Sequence, residues 1–231
     1  MRDVFVGRVD LLLLVALQLL FLAMPQLDLR VSSWFYTEPG GFLLSANPLV
    51  QFSYWLFARL HFLVAPLLLW LLLASWLWRR RSECRLRRRL WFLLLVLALG
   101  PGLLVNGVFK SESGRARPVQ TEQFGGERAF TPVFSPADQC ERNCSFVSGH
   151  AAMGFYFIAL AWVLRDRRWL VFGILLGAAV GLGRIVEGKH FLSDVIFSYW
   201  VVYGVCVLLA YWVLGQKGIR ESVGPPGAGQ D

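Results

Sequence analysis

The chain reads as an all-α polytopic membrane protein with six transmembrane helices, and three observations predict this. Of its 231 residues, 56% are hydrophobic, and they are gathered into long runs almost free of charge. A soluble domain would disperse them. There are six runs, most of them near the roughly 20 residues that cross the hydrocarbon core. The arginines crowd into turns at alternate ends of these runs, as they do when helices pass back and forth through a bilayer.

The first run, Val9–Leu27, follows a basic start and could pass for a secretory leader. It ends Leu22-Ala-Met-Pro-Gln26, which lacks a small-x-small cleavage pattern, so an uncleaved helix is expected. The second and third are Tyr54–Trp78 and Leu90–Phe109. The fourth is Val147–Leu164. The fifth, Trp169–Leu182, is short and needs Gly183 to Val186 to complete it; the sixth is Phe191–Leu214. No internal repeat is visible. Residues 1–215 are expected to form one membrane domain, with 111–146 as an irregular outer cover rich in Gly, Pro and Glu. Residues 216–231, ending Gly224-Pro-Pro-Gly-Ala-Gly-Gln-Asp231, are expected to be a disordered tail.

The net charge is +8, from 23 basic and 15 acidic residues. Spread over an exposed face, that excess would point to nucleic acid. Here Arg79, Arg80, Arg81, Arg85, Arg87, Arg88 and Arg89 fill the turn between runs two and three. Arg165, Arg167 and Arg168 fill the turn between runs four and five, and Arg2, Arg8, Lys217 and Arg220 lie near the termini. With six alternating helices all of these fall on one side, which the positive-inside rule makes cytoplasmic. Both termini are then cytoplasmic, the chain is a multi-pass protein of a cytoplasmic (inner) membrane, and no nucleic-acid partner is expected. Of the four cysteines, Cys140 and Cys144 share an outer loop whose compartment permits a disulfide, although two free thiols fit the sequence as well. No second pair accompanies them, which disfavours zinc.

Three short polar stretches stand out: Lys110-Ser-Glu-Ser-Gly-Arg-Ala-Arg117-Pro118, Ser148-Gly149-His150, and Arg184 through His190 to Asp194. All three fall on the non-cytoplasmic side of the topology just argued. Lys110, Arg117 and Arg184 can place fixed positive charge on the oxygens of a phosphate, and arginine's planar fork suits them. Ser148 Oγ and the Gly149 amide add donors, reinforced by the helix dipole if Ser148 opens a helix. His190 and Asp194 are four apart, so on a helical turn they are neighbours. A carboxylate on one ring nitrogen fixes the tautomer and frees the other to attack. His150, without a nearby carboxylate in sequence, remains to protonate a leaving oxygen.

Blander roles weigh against some of these. A lone Lys at a helix end is ordinarily a snorkelling anchor, but the spacing of Lys110 to Arg117-Pro118 argues otherwise. Arg184 ends an apolar run, where a charge at the bilayer centre costs about 2.5–3.5 kcal/mol on insertion scales. Arg115 reads as a headgroup or structural contact. Lys189 either raises the local potential or faces water, and Arg59 and His61 read first as snorkelling residues.

The pattern Lys-x6-Arg-Pro, Ser-Gly-His, Arg-x5-His-x3-Asp resembles the three-part signature of the type-2 phosphatidic acid phosphatase family, whose helical core is shared with vanadium haloperoxidases. The match covers Lys110 to Asp194. The resemblance implies that Lys110, Arg117 and Arg184 bind phosphate, with Ser148 and Gly149 assisting. It also implies that His190 forms a phosphohistidine, that Asp194 orients it, that His150 protonates the leaving group, and that no metal or other cofactor takes part. Val147 stands where the family usually has Pro, and Gly183 where it usually has Ser. The run Cys144-Ser-Phe-Val-Ser-Gly-His150 is similar to bacterial members acting on lipid A or related envelope lipids. The expectation is therefore a phosphatase of a membrane lipid phosphate or diphosphate, working at the periplasmic face. A lipid phosphotransferase with the same intermediate is the nearest alternative. An undecaprenyl diphosphate phosphatase is a further one, as is a lipid or anion transporter, which would leave His190 and Asp194 without a purpose.

Overall fold

The computed structural model describes residues 2–77 and 83–219. Arg79, Arg80 and Arg81 of the arginine-rich turn, Arg220, and the tail from 220 onward, expected to be disordered, lie outside the described residues. Helix α1 (Arg2–Ala23) is followed by α2 (Gln26–Ser33), and the two axes diverge by 83°. Pro25 explains the break, since it has no N–H to continue the ladder and its ring clashes with the preceding turn. The first expected span is thus a bent pair. A two-stranded antiparallel hairpin follows, β1 (Tyr36–Thr37) and β2 (Gly41–Phe42), with Tyr36 opposite Phe42.

Helices α3 (Pro48–Arg59) and α4 (His61–Leu77) run together as one apolar length, Pro48–Leu77. It starts ahead of the expected Tyr54 because Asn47 caps it: Asn47 Oδ1 accepts from the Leu49 and Val50 amides at 3.0 and 3.4 Å, with Pro48 in the first turn. Helix α5 (Glu83–Leu97) continues as a π-helical stretch, Ala98–Phe109, and ends in α6 (Lys110–Glu112). Pro101, lacking an N–H, lies in the wide stretch, and its carbonyl accepts from Asn106 Nδ2 at 2.7 Å. Then come α7 (Gly149–Phe155), a 3-10 turn (Tyr156–Ala159), α8 (Leu160–Leu164), α9 (Arg167–Val186) and α10 (Leu192–Leu209), which closes in a short π turn to Leu214. Among the described residues four helices are long and apolar enough to cross a membrane: Pro48–Leu77, Cys84–Glu112, Arg167–Val186 and Leu192–Leu214. The bent pair would make a fifth; Gly149–Leu164 is apolar but shorter.

Helix α9 lies very close to α7 because its contact stripe is glycine. Gly173, Gly177 and Gly181 recur every four residues and so share a face. A Cβ at Gly173 would come within 2.4 Å of the Ile158 amide nitrogen, and one at Gly177 within 2.1 Å of the Phe155 ring. A Cβ at Gly181 would meet Val195 of α10 at 2.2 Å. The core between the helices is filled by Phe21, Phe92, Val96, Val105, Ile158 and Val202, while Leu11, Leu12, Leu63, Trp70, Leu73 and Trp212 remain exposed on the apolar outside.

The two ends of the bundle differ in charge. At one end Arg88 near the start of α5 donates from Nε to the Val213 carbonyl at the close of α10, 2.9 Å away, and Arg165, Arg167 and Arg168 join α8 to α9. At the other end lie the finish of α5–α6, the starts of α3, α7 and α10, and the finish of α9. All three polar stretches belong to that second end.

Candidate functional site

The turn after α9 sets the positions of Arg184 and His190. The amides of Lys189 and His190 both donate back to the Arg184 carbonyl, at 3.0 and 3.3 Å, and the Gly188 carbonyl accepts from the Val119 amide at 2.9 Å. Gly188 has φ +65°, and a Cβ there would sit 2.3 Å from the Phe42 ring, so the turn needs glycine both for its conformation and for its space. His190 therefore precedes α10, whereas Asp194 lies in its first turn. The pair meets across a helix entry rather than along one helical face.

Asp194 is fully buried, and its carboxylate has several donors. Oδ1 accepts from Arg115 Nη1 at 2.7 Å, and Oδ2 accepts from Ser145 Oγ at 2.5 Å and from the Phe191 amide at 2.8 Å. His190 Nδ1 lies 3.4 Å from Oδ2, an ion-pair distance without an aligned hydrogen bond. The imidazole is 1% exposed. Burial holds its pKa down at about 4, with Asp194 pulling in the opposite direction and Lys110 and Arg184 reinforcing the depression. A group with this shift is neutral above about 4, where an ordinary imidazole gains its proton near 6.5. If the neutral ring is the working form, kcat/KM should hold steady as pH falls through 6.5 and decline only as it approaches about 4. Folding stability should weaken across that same window, because the unfolded chain takes up a proton that the folded one refuses. A pH–rate profile on the solubilised enzyme, with a denaturation series alongside, checks both.

His190 borders a polar cavity of about 400 Å³, lined also by Lys110, Arg117, Arg184 and His150, together with Gln51, Tyr54, Asn143, Glu187 and Lys189. Five of the residues singled out in the sequence are thus brought to one space. Asn143 steadies two of them, its Oδ1 accepting from Lys110 Nζ at 3.3 Å and its carbonyl from Arg117 Nη2 at 2.9 Å. The loop carrying it is closed by a disulfide between Cys140 and Cys144, with Cα atoms 5.6 Å apart. Arg184 is 4% exposed; its Nη1 donates to Glu187 Oε2 and its guanidinium lies 4.7 Å from the Tyr54 ring centroid. Gln51 Nε2 donates to the other Glu187 oxygen at 3.0 Å. Burial raises the Glu187 carboxyl above its ordinary range, while Arg184 and Lys189 oppose the shift.

The Ser-Gly-His stretch divides its work. Ser148 is wholly buried and caps α7: Oγ accepts from the Ala151 amide at 3.4 Å, and its amide donates to the Asp194 carbonyl at 3.1 Å. Its hydroxyl oxygen thus serves as the N-cap acceptor of that helix. Gly149 explains itself by crowding, since a Cβ there would lie 3.1 Å from Lys110 Nζ and 2.7 Å from Asn106 Oδ1. His150 stacks on Tyr54 at 4.8 Å between centroids, and among the described residues neither of its ring nitrogens has a hydrogen-bond partner. Lys110 and His150 also border a second, apolar cavity of about 560 Å³ lined by Phe57, Ala65, Leu94, Leu97, Pro101 and Met153, among others. The two histidines thus differ in surroundings: His190 is backed by a carboxylate, and His150 stands where a charged compartment meets an oily one. Among the described residues no three His, Cys, Asp or Glu side chains group as a metal site would require.

Several participants escaped the sequence reading. Tyr54 carries no signal within an apolar run, and Asn143 none within a polar loop. Glu187 lies inside the third polar stretch, and its place three residues after Arg184 could have suggested the pairing. Asp28, buried at 1% beside an apolar run, could have been marked by the rule that such acids have a purpose.

Helical spans enclosing a pocket of four cationic side chains and two histidines define a membrane protein built to grip an anion. The chain belongs to the PAP2 superfamily, whose family model matches residues 89–220. It is a membrane lipid phosphatase, a phosphoric monoester hydrolase, of that superfamily. It is 36% identical over 197 residues to the lipid A 4'-phosphatase of Francisella tularensis subsp. novicida, covering 80% of this chain and 88% of the relative. Against the lipid A 4'-phosphatase of Rhizobium leguminosarum it is 33% identical over 202 residues, covering 80% and 86%. Against the lipid A 1-phosphatase of Rhizobium etli it is 35% identical over 143 residues, covering 55% and 58%. No solved structure matches the chain.

Proposed function

We propose that the protein removes a phosphate monoester from lipid A at the periplasmic face of the inner membrane, through a phosphohistidine on His190 and without a metal. The observation that carries this reading is the placement of His190, with Nδ1 toward Asp194 and its ring on the wall of a cavity that also holds Lys110, Arg117 and Arg184. In this reading the three cations hold the nonbridging oxygens and grow in effect as charge develops on them. Nε2 of His190 attacks phosphorus, and Nδ1–H leans on Asp194 as the ring becomes cationic. The P–O bond to the lipid breaks, and His150 gives the departing oxygen a proton. The charge of the arriving phosphate favours that proton on a ring otherwise surrounded by cations. Water, activated by His150 in its neutral form, then attacks the phosphohistidine and restores His190. The apolar cavity beside His150 gives the lipid portion a place on the leaving-group side.

The 4'-phosphate is favoured because the 4'-phosphatase relatives align over 80% of the chain and the 1-phosphatase relative over only 55%. The periplasmic face is favoured because the cavity lies at the end of the bundle opposite Arg88, Arg165 and Arg168. A reporter inserted between Gln120 and Glu127 should signal the periplasm, and one after Leu164 the cytoplasm; a cytoplasmic signal from the first would contradict the orientation.

Phosphate release from purified lipids tests the substrate directly. Lipid A bearing only the 4'-phosphate should be hydrolysed faster than lipid A bearing only the 1-phosphate, and faster than phosphatidic acid or undecaprenyl diphosphate. Turnover should survive a chelator. Full loss with chelator, restored by magnesium, would contradict the metal-free reading, and transfer of label to an added acceptor lipid without free phosphate would contradict hydrolysis.

A further inference from the structure

We propose that Arg115 and Asp28 are positioning residues for the reaction, acting on His190 through Asp194. The proposal rests on the phosphohistidine reading of His190. Arg115 is 2% exposed and reaches in four directions. Nη1 donates to Asp194 Oδ1 at 2.7 Å and to Ser193 Oγ at 2.8 Å, Nη2 donates to Asp28 Oδ2 at 2.8 Å, and Nε donates to the Thr131 carbonyl at 2.9 Å. The Phe191 ring covers its face, with the centroid 4.3 Å from the guanidinium carbon. Asp28 completes the cluster, its Oδ1 accepting from the Ser193 amide at 2.8 Å and its Oδ2 from the Ser193 hydroxyl at 2.5 Å. One guanidinium thus joins α2, the loop before α7 and the entry of α10. The sharp bend at Pro25 is what brings Asp28 there.

Structural glue alone would not need this arrangement. Two carboxylates share one cation in a buried space, where desolvation and their mutual repulsion both work against ionisation, and Arg115 with the Ser193 donors must offset both. What the arrangement achieves is directional. Arg115 takes Oδ1 of Asp194 and leaves Oδ2 turned toward His190 Nδ1. Because Asp28 draws on the same guanidinium, Arg115 neutralises Asp194 only in part, and Asp194 keeps charge to set against a cationic imidazole. That charge matters when the ring nitrogen has bonded to phosphorus and Nδ1 retains its proton. The other titratable groups on the cavity wall that His190 borders are Lys110, Arg117, Arg184, Lys189 and His150, all of them cations or potential cations, the Tyr54 phenol, and Glu187, which is engaged by Arg184. Asp194 is therefore the carboxylate that must do this, and its partners tune how well it does so.

The test uses the full-length enzyme in detergent with a nitrophenyl phosphate and with lipid A 4'-phosphate. Asp28→Asn leaves Arg115 wholly to Asp194; Arg115→Gln removes the neutralising charge. Both should lower kcat by about 10- to 100-fold, the usual effect of losing a group behind a working residue, with KM near the wild-type value. The acid limb of the kcat/KM profile should move in opposite directions, to lower pH for Asp28→Asn and to higher pH for Arg115→Gln. Opposite displacements show that the two charges act on His190, and the fall in kcat at unchanged KM shows that they act on the chemical step, which a merely structural role would leave alone. Folded variants with wild-type kcat and an unmoved limb would overturn the proposal. Should either variant fail to give a monodisperse protein, Arg115→Lys is read in its place: it keeps the charge but not the fork. A kcat loss with the limb retained then supports the proposal, and a wild-type kcat overturns it. Failure of the underlying reading is seen separately, as wild-type enzyme that turns over without any label on His190.

Discussion

His190→Ala is expected to abolish turnover and any covalent phosphoenzyme, a loss of about 10⁶-fold, as when a catalytic nucleophile is removed. The side chain lies at the meeting of two opposed demands. It is fully buried, which keeps the imidazole neutral and its lone pair available, yet it faces a carboxylate able to support the cation that follows attack. Alanine should leave the surrounding cations in place, so the variant should still bind phosphate or vanadate. Binding retained with chemistry lost would separate the nucleophile from the grip. A variant with substantial residual hydrolysis, measured as phosphate release from lipid A, would place the attacking group elsewhere.

His150→Ala is the second large effect expected, about 10²–10⁴-fold in kcat, the usual reach of a general acid. Its position predicts a particular dependence. The ring borders both the polar and the apolar cavity, and neither nitrogen is committed to a protein partner among the described residues. An acid at that boundary serves the departing lipid oxygen. The loss should therefore shrink with a nitrophenolate, which leaves without help. Equal losses on activated and unactivated esters would rule out the acid role, and a comparison of rates over phosphate esters of graded leaving-group acidity decides it.

The sequence made the residues of the polar cavity more legible than the architecture. Lys110, Arg117, His150, Arg184 and His190 stood out because polar groups in apolar surroundings need a reason, and they line one cavity. The α9 boundary was also legible, since Gly183 to Val186 were needed to complete a span and do belong to the helix. What was missed depended on tertiary geometry. Pro25 was visible but lay inside the first expected span, Val9–Leu27, and was not read as the bend that returns Asp28 to α10. The π-helical stretch from Ala98 left no periodic trace. Ser148 was assigned by residue type to the ligand, and its further duty as the cap of α7 shows only in the fold. Arg115, two residues from Arg117, differs from it only in which way the chain turns after Gly114, whose φ is +59°.

Trapping the intermediate decides whether His190 is the attacking group. Enzyme mixed with lipid A labelled in its 4'-phosphate and quenched within a turnover should carry one acid-labile, base-stable phosphoryl group. Peptide mapping should place it on His190, and His190→Ala should carry none. Rapid turnover with no label on the protein at any quench time, or a label mapped to another residue, would contradict it.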